Sequence, residues 1–222
     1  MRCNYVNQNF VGEAGVEYYG EEYACYGDAE YKCDPRRYYL EGVVRKHRPG
    51  KKRADVRLVV FKHDHMMDYV PEGLGFFFPN TEVFSCGGCH MHYIEKSDLK
   101  QFPQLKILNL YENRLKYLPG NLFENTPHLE YFSVSSNPIR SIGKGFFNHT
   151  PKLKQFGFFT DCYSWERETD VETKKRSVIK GCEKSRSRPP IVRKAESYSV
   201  TANPIIDCEK DFVMREEIVG NS

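Results

Sequence analysis

The amino-acid sequence predicts an α/β solenoid built of strands and loops. It would be a short right-handed stack of coils with a parallel concave sheet and disulfide caps. Three observations predict it. The middle of the chain repeats every 24 residues, apolar residues alternate at the start of each period, and six of the eight cysteines lie outside the periodic part.

The period is seen in several columns at once. Pro79, Pro103, Pro127 and Pro151 lie 24 residues apart, as do Val70, Ile94, Leu118 and Ile142, and Met67, Met91, Leu115 and Ile139. The columns Phe84, Leu108, Phe132, Phe156 and Cys86, Leu110, Val134, Phe158 keep the same spacing. A fixed period of this length is the signature of stacked units. One unit cannot bury its own apolar face, so neighbours must stack to make a core.

The most regular unit reads Leu105-x-x-Leu108-x-Leu110-x-x-Asn113-x-Leu115-x-x-Leu118-Pro119-x-x-Leu122-Phe123. Leu108 and Leu110 alternate inward on a short strand, since side chains on a strand change face at every residue. Asn113 then turns the chain, and its amide can bond backbone groups that a buried bend would leave unpaired. The next unit repeats the pattern with Leu129, Phe132, Val134, Asn137, Ile139, Ile142 and Phe147. This pattern, L-x-x-L-x-L-x-x-N-x-L, resembles the extracellular, 24-residue class of leucine-rich-repeat proteins over roughly half the chain. Short secreted arthropod members look especially similar, with a Cys-rich lead-in and a stretch like Ala54-Asp55-Val56 before the first strand. The resemblance implies a short leucine-rich-repeat stack whose concave face binds a ligand.

The departures from the pattern are local. In the first coil Val56, Val59 and Phe61 point inward only if one residue is inserted before Met67. The second coil has Cys89 where Asn is usual. The fifth begins at Leu153, Phe156 and Phe158, reaches Asp161, and breaks at Cys162.

The expected organisation is a Cys-containing N-terminal cap over 1–55 and four to five coils over 56–161. A C-terminal cap over 162–184 and a linker with a tail over 185–222 would follow. Terminal coils expose an unpaired edge, and the caps would cover it. A Cys162–Cys182 bridge is expected to seal one edge around a helix with Ser164 as N-cap, Glu166 and Glu168 in its first turn and Gly181 at its far end. Cys3–Cys25 is the pairing expected at the other end, although spacing does not fix connectivity. The partners of Cys33, Cys86, Cys89 and Cys208 stay open. Cys208 could return to Cys33 or link two chains into a dimer.

Hydrophobic residues make up 40% of the 222 and charged residues 28%, ordinary for a soluble protein. The net charge of +3 gives no electrostatic case for binding nucleic acid. No apolar run approaches the ~18 residues needed to cross a bilayer. The chain lacks an N-terminal apolar signal region, so an extracellular protein would be represented by a processed form or a fragment. Cysteines gathered in the flanks favour that oxidising, extracellular compartment. Charge in the lead-in is segregated, acidic from Glu13 to Asp34 and basic from Arg36 to Arg53. The run Arg45-Lys46-His47-Arg48-Pro49-Gly50-Lys51-Lys52-Arg53 could bind a sulfated glycan or an acidic partner. A solvated loop is the plainer reading.

Little in the sequence carries chemistry. Cys86-Gly87-Gly88-Cys89 superficially suggests a redox pair or half a zinc site. The register instead puts both thiols in the core, as structural cysteines. His63 and His65 in the first coil and His90 and His92 in the second would stand near one another, with Asp64 beside them. Those types suit zinc or copper, but their spacing is not diagnostic and a solvated surface is preferred. No cofactor and no metal are expected. No nucleophile elbow, zinc-protease motif or phosphate loop is present, so the chain is not expected to be an enzyme. Asn148-His149-Thr150 is a glycosylation sequon away from the strands.

The expected ligand surface is the concave stripe of Leu58, Val60, Val83, Ser85, Ile107, Asn109, Tyr111, Tyr131, Ser133, Ser135, Gln155 and Phe159. It is neutral and partly aromatic, with Tyr111, Tyr131 and Phe159 as hot-spot types for a protein partner. The function expected is a secreted recognition module for a protein or glycoconjugate. A structural component joined through Cys208, and the remnant ectodomain of a receptor, are the alternatives.

Overall fold

The computed structural model describes residues 1–8, 22–28, 40, 42–62, 67, 69–164 and 170–183. Strands β1 (Arg2–Gln8) and β2 (Glu22–Asp28) pair antiparallel. The coils follow, with β3 (Leu58–Lys62), the single-turn helix α1 (Leu74–Phe77), β4 (Val83–Gly87) and the single-turn helix α2 (Lys96–Leu99). Next come β5 (Ile107–Asn109), β6 (Tyr117–Leu118), β7 (Tyr131–Ser133), β8 (Ser141–Ile142), β9 (Gln155–Gly157) and the closing helix α3 (Val171–Cys182). One seven-stranded sheet runs in the order β1-β2-β3-β4-β5-β7-β9, and β6 pairs with β8 in a second, two-stranded sheet. From β2 onward every neighbour in the large sheet is parallel. The expected solenoid with a parallel sheet and disulfides is therefore the fold.

The register is the sequence period made visible. Phe84 pairs with Leu108, Leu108 with Phe132, and Phe132 with Phe156. Val59 pairs with Phe84, a step one residue longer than the rest, which puts the extra residue between Phe61 and Met67. A single insertion within a strand would flip every later side chain to the wrong face.

The inward columns fill the stack. Val59, Phe84, Leu108, Phe132 and Phe156 are buried along one side. Met67, Met91, Leu115 and Ile139 are buried along another. Phenyl rings pack from coil to coil: Phe132 stacks on Phe156 at 5.2 Å, and Phe123 lies against Phe132 at 5.0 Å and Phe146 at 5.1 Å. Most of the chain's phenylalanine is thereby consumed as core, where each ring buries a large apolar area.

Backbone polarity in the bends is met by asparagine. Asn113 donates from Nδ2 to the carbonyls of Cys86 (2.7 Å) and Leu110 (3.0 Å) and accepts at Oδ1 from the Met91 N–H (2.9 Å). The second coil has Cys89 at this place, and its sulfur is bonded to Cys86. Both cysteines are fully buried. The core position expected for them holds, and their partners, left open by the sequence, are each other.

Outside the bends, an alternating charge row follows the start of the strands. Arg57 and Lys106 flank Glu82 at 3.4 and 2.7 Å, and Lys154 lies 2.6 Å from Glu130. These pairs are partly solvated and add little stability. They do disfavour a slip of one coil against the next.

At the ends, Cys3–Cys25 ties β1 to β2 and Cys162–Cys182 ties the last coil to α3. The helix α3 does not begin at Ser164. Its N-cap is Asp170, whose carboxylate accepts the Thr173 N–H at 2.7 Å, and Glu166 and Glu168 lie outside the described residues. Ser164 and Asp170 are both capping types, and the described helix follows the aspartate. Gly181 sits at the far end of this helix. It lies inside the last turn, where an added Cβ would stand 2.8 Å from the Cys162 carbonyl oxygen, so the glycine permits the close approach that the disulfide needs. Lys174 closes the core end, with Nζ donating to the Phe156 carbonyl at 2.6 Å and lying over its ring. Cys33, Cys208 and the expected tail from 185 to 222 lie outside the described residues.

Candidate functional site

The outer face of the large sheet carries three columns. Ala24, Leu58, Val83, Ile107, Tyr131 and Gln155 make the first, and Tyr26, Val60, Ser85, Asn109, Ser133 and Gly157 make the second. Gly87, Tyr111, Ser135 and Phe159 continue in the same sequence period just past the strands. Parallel pairing without slippage sets each column, because a residue and its partner on the next strand point the same way.

The twelve residues expected on this face therefore belong to it, but most are not at the surface. Leu58, Val60, Val83, Ser85, Ile107, Tyr131, Ser133 and Ser135 are buried. The correction has a physical reason. Alternation fixes which way a side chain points but not its exposure. Here Leu58, Val60, Val83, Ile107 and Tyr131 pack side by side with Ala24 into a second apolar cluster, joined by Val6 and Tyr26. Tyr131, expected as a hot spot, is only 3% exposed and belongs to this cluster.

Four of the twelve reach solvent. Asn109 is half-buried and Gln155 exposed. Tyr111 is 36% and Phe159 55% exposed. Their backbone is held by the face itself. Asn109 donates from Nδ2 to Ser85 Oγ (3.2 Å) and accepts the Tyr111 N–H at Oδ1 (3.2 Å), while the Phe159 N–H donates to Ser135 Oγ (3.2 Å). Both aromatic residues are thus anchored through polar members of the same face. The two stand on either side of Ser135, about 10 Å apart if each step is the ~4.8 Å of neighbouring strands. On the other side of Tyr111, Gly87 leaves space, since a Cβ there would meet nothing nearer than 3.7 Å. The rim past the strands therefore alternates small and large: Gly87, Tyr111, Ser135, Phe159.

The other expected residues fall elsewhere. His90 and His92 are half-buried after the second strand, and His63 and His65 lie outside the described residues. Among the described residues, no three His, Cys, Asp or Glu side chains converge as a metal ion would require. Asn148 is exposed in a turn away from the sheet, and the Thr150 hydroxyl of its sequon is buried, donating to the Phe147 carbonyl at 2.9 Å. No described helix is long and apolar enough to cross a membrane.

One further feature was legible in sequence only as charge. The basic run 45–53 forms an exposed loop packed against Tyr5, Tyr23 and Phe77, whose rings the sequence did not connect to it.

Among known proteins, the model of the family described as "Leucine rich repeat" matches residues 103–157. No curated protein matches the chain. Three solved structures are similar to it in part. The leucine-rich repeat domain of APL1 is 26% identical over 45% of this chain and 26% of that one, with a TM-score of 0.42. Toll, in the Toll–Spatzle complex of Drosophila, is 15% identical over 48% of this chain and 17% of its own, with a TM-score of 0.41. TLR13, in a complex with ssRNA13, is 20% identical over 46% and 14%, with a TM-score of 0.39. The chain spans about a quarter or less of the length of each. Residues 103–157, about a quarter of the chain, are similar in sequence to leucine-rich repeats, and the coils stack through an asparagine ladder beneath a parallel sheet, so the fold is a solenoid of that type.

Proposed function

We propose that the chain is a secreted, non-enzymatic recognition module that binds a protein ligand at the rim of its concave sheet, around Tyr111 and Phe159. The carrying observation is that these two aromatic residues stay open to solvent, each anchored through its backbone N–H, in a face whose other apolar members, the half-buried Tyr26 apart, are buried. Tyrosine and phenylalanine give large contact area at small cost in rotamer entropy, and such residues dominate binding energy at protein interfaces. Asn109 and Gln155 supply the polar rim around them. A glycoconjugate is the other ligand class that fits an aromatic rim with amide neighbours.

Secretion is supported by three disulfides among the described cysteines, a pattern of oxidising compartments. Asn148 would then carry a glycan on the flank away from the sheet, leaving the rim free. A dimer through Cys208 is a separate proposal, tested by comparing reducing and non-reducing electrophoresis.

Affinity capture from extracellular fluid tests the rim. The reading expects a partner retained by the wild type and by Phe76→Ala, which removes an exposed phenyl group elsewhere, and lost with Tyr111→Ala/Phe159→Ala. Equal capture by all three would remove the rim from the account.

A further inference from the structure

We propose that the basic loop Arg45–Arg53 is a second binding surface, separate from the rim, and that it takes a sulfated polysaccharide. Charge is concentrated there. Arg45, Lys46, Arg48, Lys51, Lys52 and Arg53 stand against Asp55 alone, +5 over residues 45–55, while the whole chain carries +3, so the remainder is −2. Among the described residues, none of the six cations is in an ion pair with a carboxylate.

A solvated loop would not be held as this one is. Before it, Val44 is paired with the first strand, its N–H donating to the Met1 carbonyl (2.9 Å) and its carbonyl accepting from Cys3 (3.2 Å). In the middle, the Arg48 N–H donates to the Tyr23 hydroxyl (3.1 Å), and Arg48 Nε donates to the Tyr5 carbonyl (3.2 Å). The His47 ring lies 4.2 Å from the Tyr5 ring and its Nδ1 3.3 Å from the Tyr23 hydroxyl. Burial and the neighbouring Arg53 lower the His47 pKa from its ordinary value, so the six arginine and lysine side chains carry the loop's charge. After it, the Lys52 N–H donates to Asp55 Oδ2 (2.8 Å), and Arg53 lies over the Phe77 ring at 5.0 Å. The backbone is pinned at both ends and the centre, while Arg45, Lys46, Arg48, Lys51, Lys52 and Arg53 are exposed.

Such a surface suits a linear polyanion. Fixed cations lose less entropy on binding, and arginine and lysine together pair well with tetrahedral oxyanions. Nucleic acid fits less well, because the rings near the loop, Tyr5, Tyr23 and Phe77, are buried beneath it and offer no face for base stacking. An anionic membrane fits less well too, since interfacial binding needs apolar area beside the charge. Among the described residues, Val44 just before the loop and Phe76 next to Phe77 are exposed large apolar side chains, one on each flank and no continuous apolar face. The extracellular setting rests on the proposed function, but the rim plays no part here.

The test uses the full chain, heparin as the sulfated probe and chemically desulfated heparin as its control. Wild type is expected to bind heparin at about 0.15 M salt, with affinity falling as salt rises, and to ignore the desulfated polymer. Lys46→Gln/Lys51→Gln/Lys52→Gln should weaken binding roughly tenfold or more and flatten the salt dependence, as expected when fixed cations are removed from a polyanion site. Tyr23→Phe keeps every charge but removes the hydroxyl that pins Arg48 and His47. It should lower affinity severalfold with the salt slope unchanged. Tyr111→Ala/Phe159→Ala should bind heparin like the wild type even if the rim proposal fails. No heparin binding by the folded wild type, equal binding by the triple variant, or tighter binding to phosphatidylserine vesicles or single-stranded RNA would overturn the proposal.

Discussion

Asn137 repeats, one coil further on, the bonds that Asn113 makes. Asn137 Nδ2 donates to the Leu110 carbonyl at 2.8 Å as Asn113 Nδ2 donates to Cys86 at 2.7 Å. Each Oδ1 accepts from the coil before, from Leu115 N (3.0 Å) and Met91 N (2.9 Å). The two amides thus tie three successive coils through buried backbone groups. Asp161, next in the column, is exposed and lies 3.4 Å from Arg140 instead, and there the repeats end.

Removing one rung should be costly. Asn113→Ala strands the Met91 N–H and at least one buried carbonyl, and each unpaired buried group costs about 1–3 kcal/mol. A loss of about 3 kcal/mol in urea unfolding is expected. Asn113→Asp keeps the acceptor but not the donors and should be no milder, because it buries a charge. A loss under about 0.5 kcal/mol for Asn113→Ala, the range of ordinary surface substitutions, would show that the ladder is incidental.

The Cys86–Cys89 bond stands where the second coil lacks its asparagine. Closing so short a loop stabilises by about 2 kcal/mol in the chain-entropy account. Cys86→Ala/Cys89→Ala should therefore lower the unfolding midpoint. Cys86→Val/Cys89→Asn, which rebuilds the pattern of Val134 and Asn137, should recover most of that loss without a bond. If the rebuilt coil is as unstable as the alanine double variant, the equivalence of disulfide and amide is wrong.

These two coils also show what sequence reading can reach. Period, inserted residue and ladder were legible because they are set by spacing, and spacing survives the exchange of Leu108 for Phe132 or Asn113 for Cys89. Exposure is not set by spacing. Leu58, Val83, Ile107 and Tyr131 point outward as expected, yet they are buried in a second cluster. The start of α3 was ambiguous for a related reason, since Ser164 and Asp170 are both good caps and the local code does not rank them. The rings under the basic loop come from residues 24 to 43 positions away, beyond any local pattern.

Asp98 gives a pH signature. It closes the N-terminus of α2, accepting the Glu95 N–H at 2.7 Å, and burial pushes its carboxyl up to about 6, against 3.8 for the free group. The folded state then binds this proton more tightly than the unfolded state. Between pH ~4 and ~6 stability should fall as pH rises, by on the order of 2 kcal/mol from this group. Asp98→Asn cannot ionise and should gain on the wild type across that window, with the difference vanishing below pH ~4. A difference independent of pH would refute the assignment.

The C-terminal cap should be separable from the rest. Cys182→Ala opens the Cys162–Cys182 loop, worth about 3 kcal/mol in the same account. It also releases the end over which Lys174 covers Phe156. Amide hydrogen exchange is expected to quicken first at Phe156 and Gly157 and only later at Leu108. Uniform acceleration along the sheet would mean that the coils unfold as one unit.

Nuclear Overhauser contacts between backbone protons test the stack itself. The account predicts parallel-strand contacts from Leu108 to the Phe132 strand and from Phe132 to the Phe156 strand, repeated at each 24-residue step and shifted by one between Val59 and Phe84. Contacts of antiparallel type, or none between Phe132 and Phe156, would contradict it.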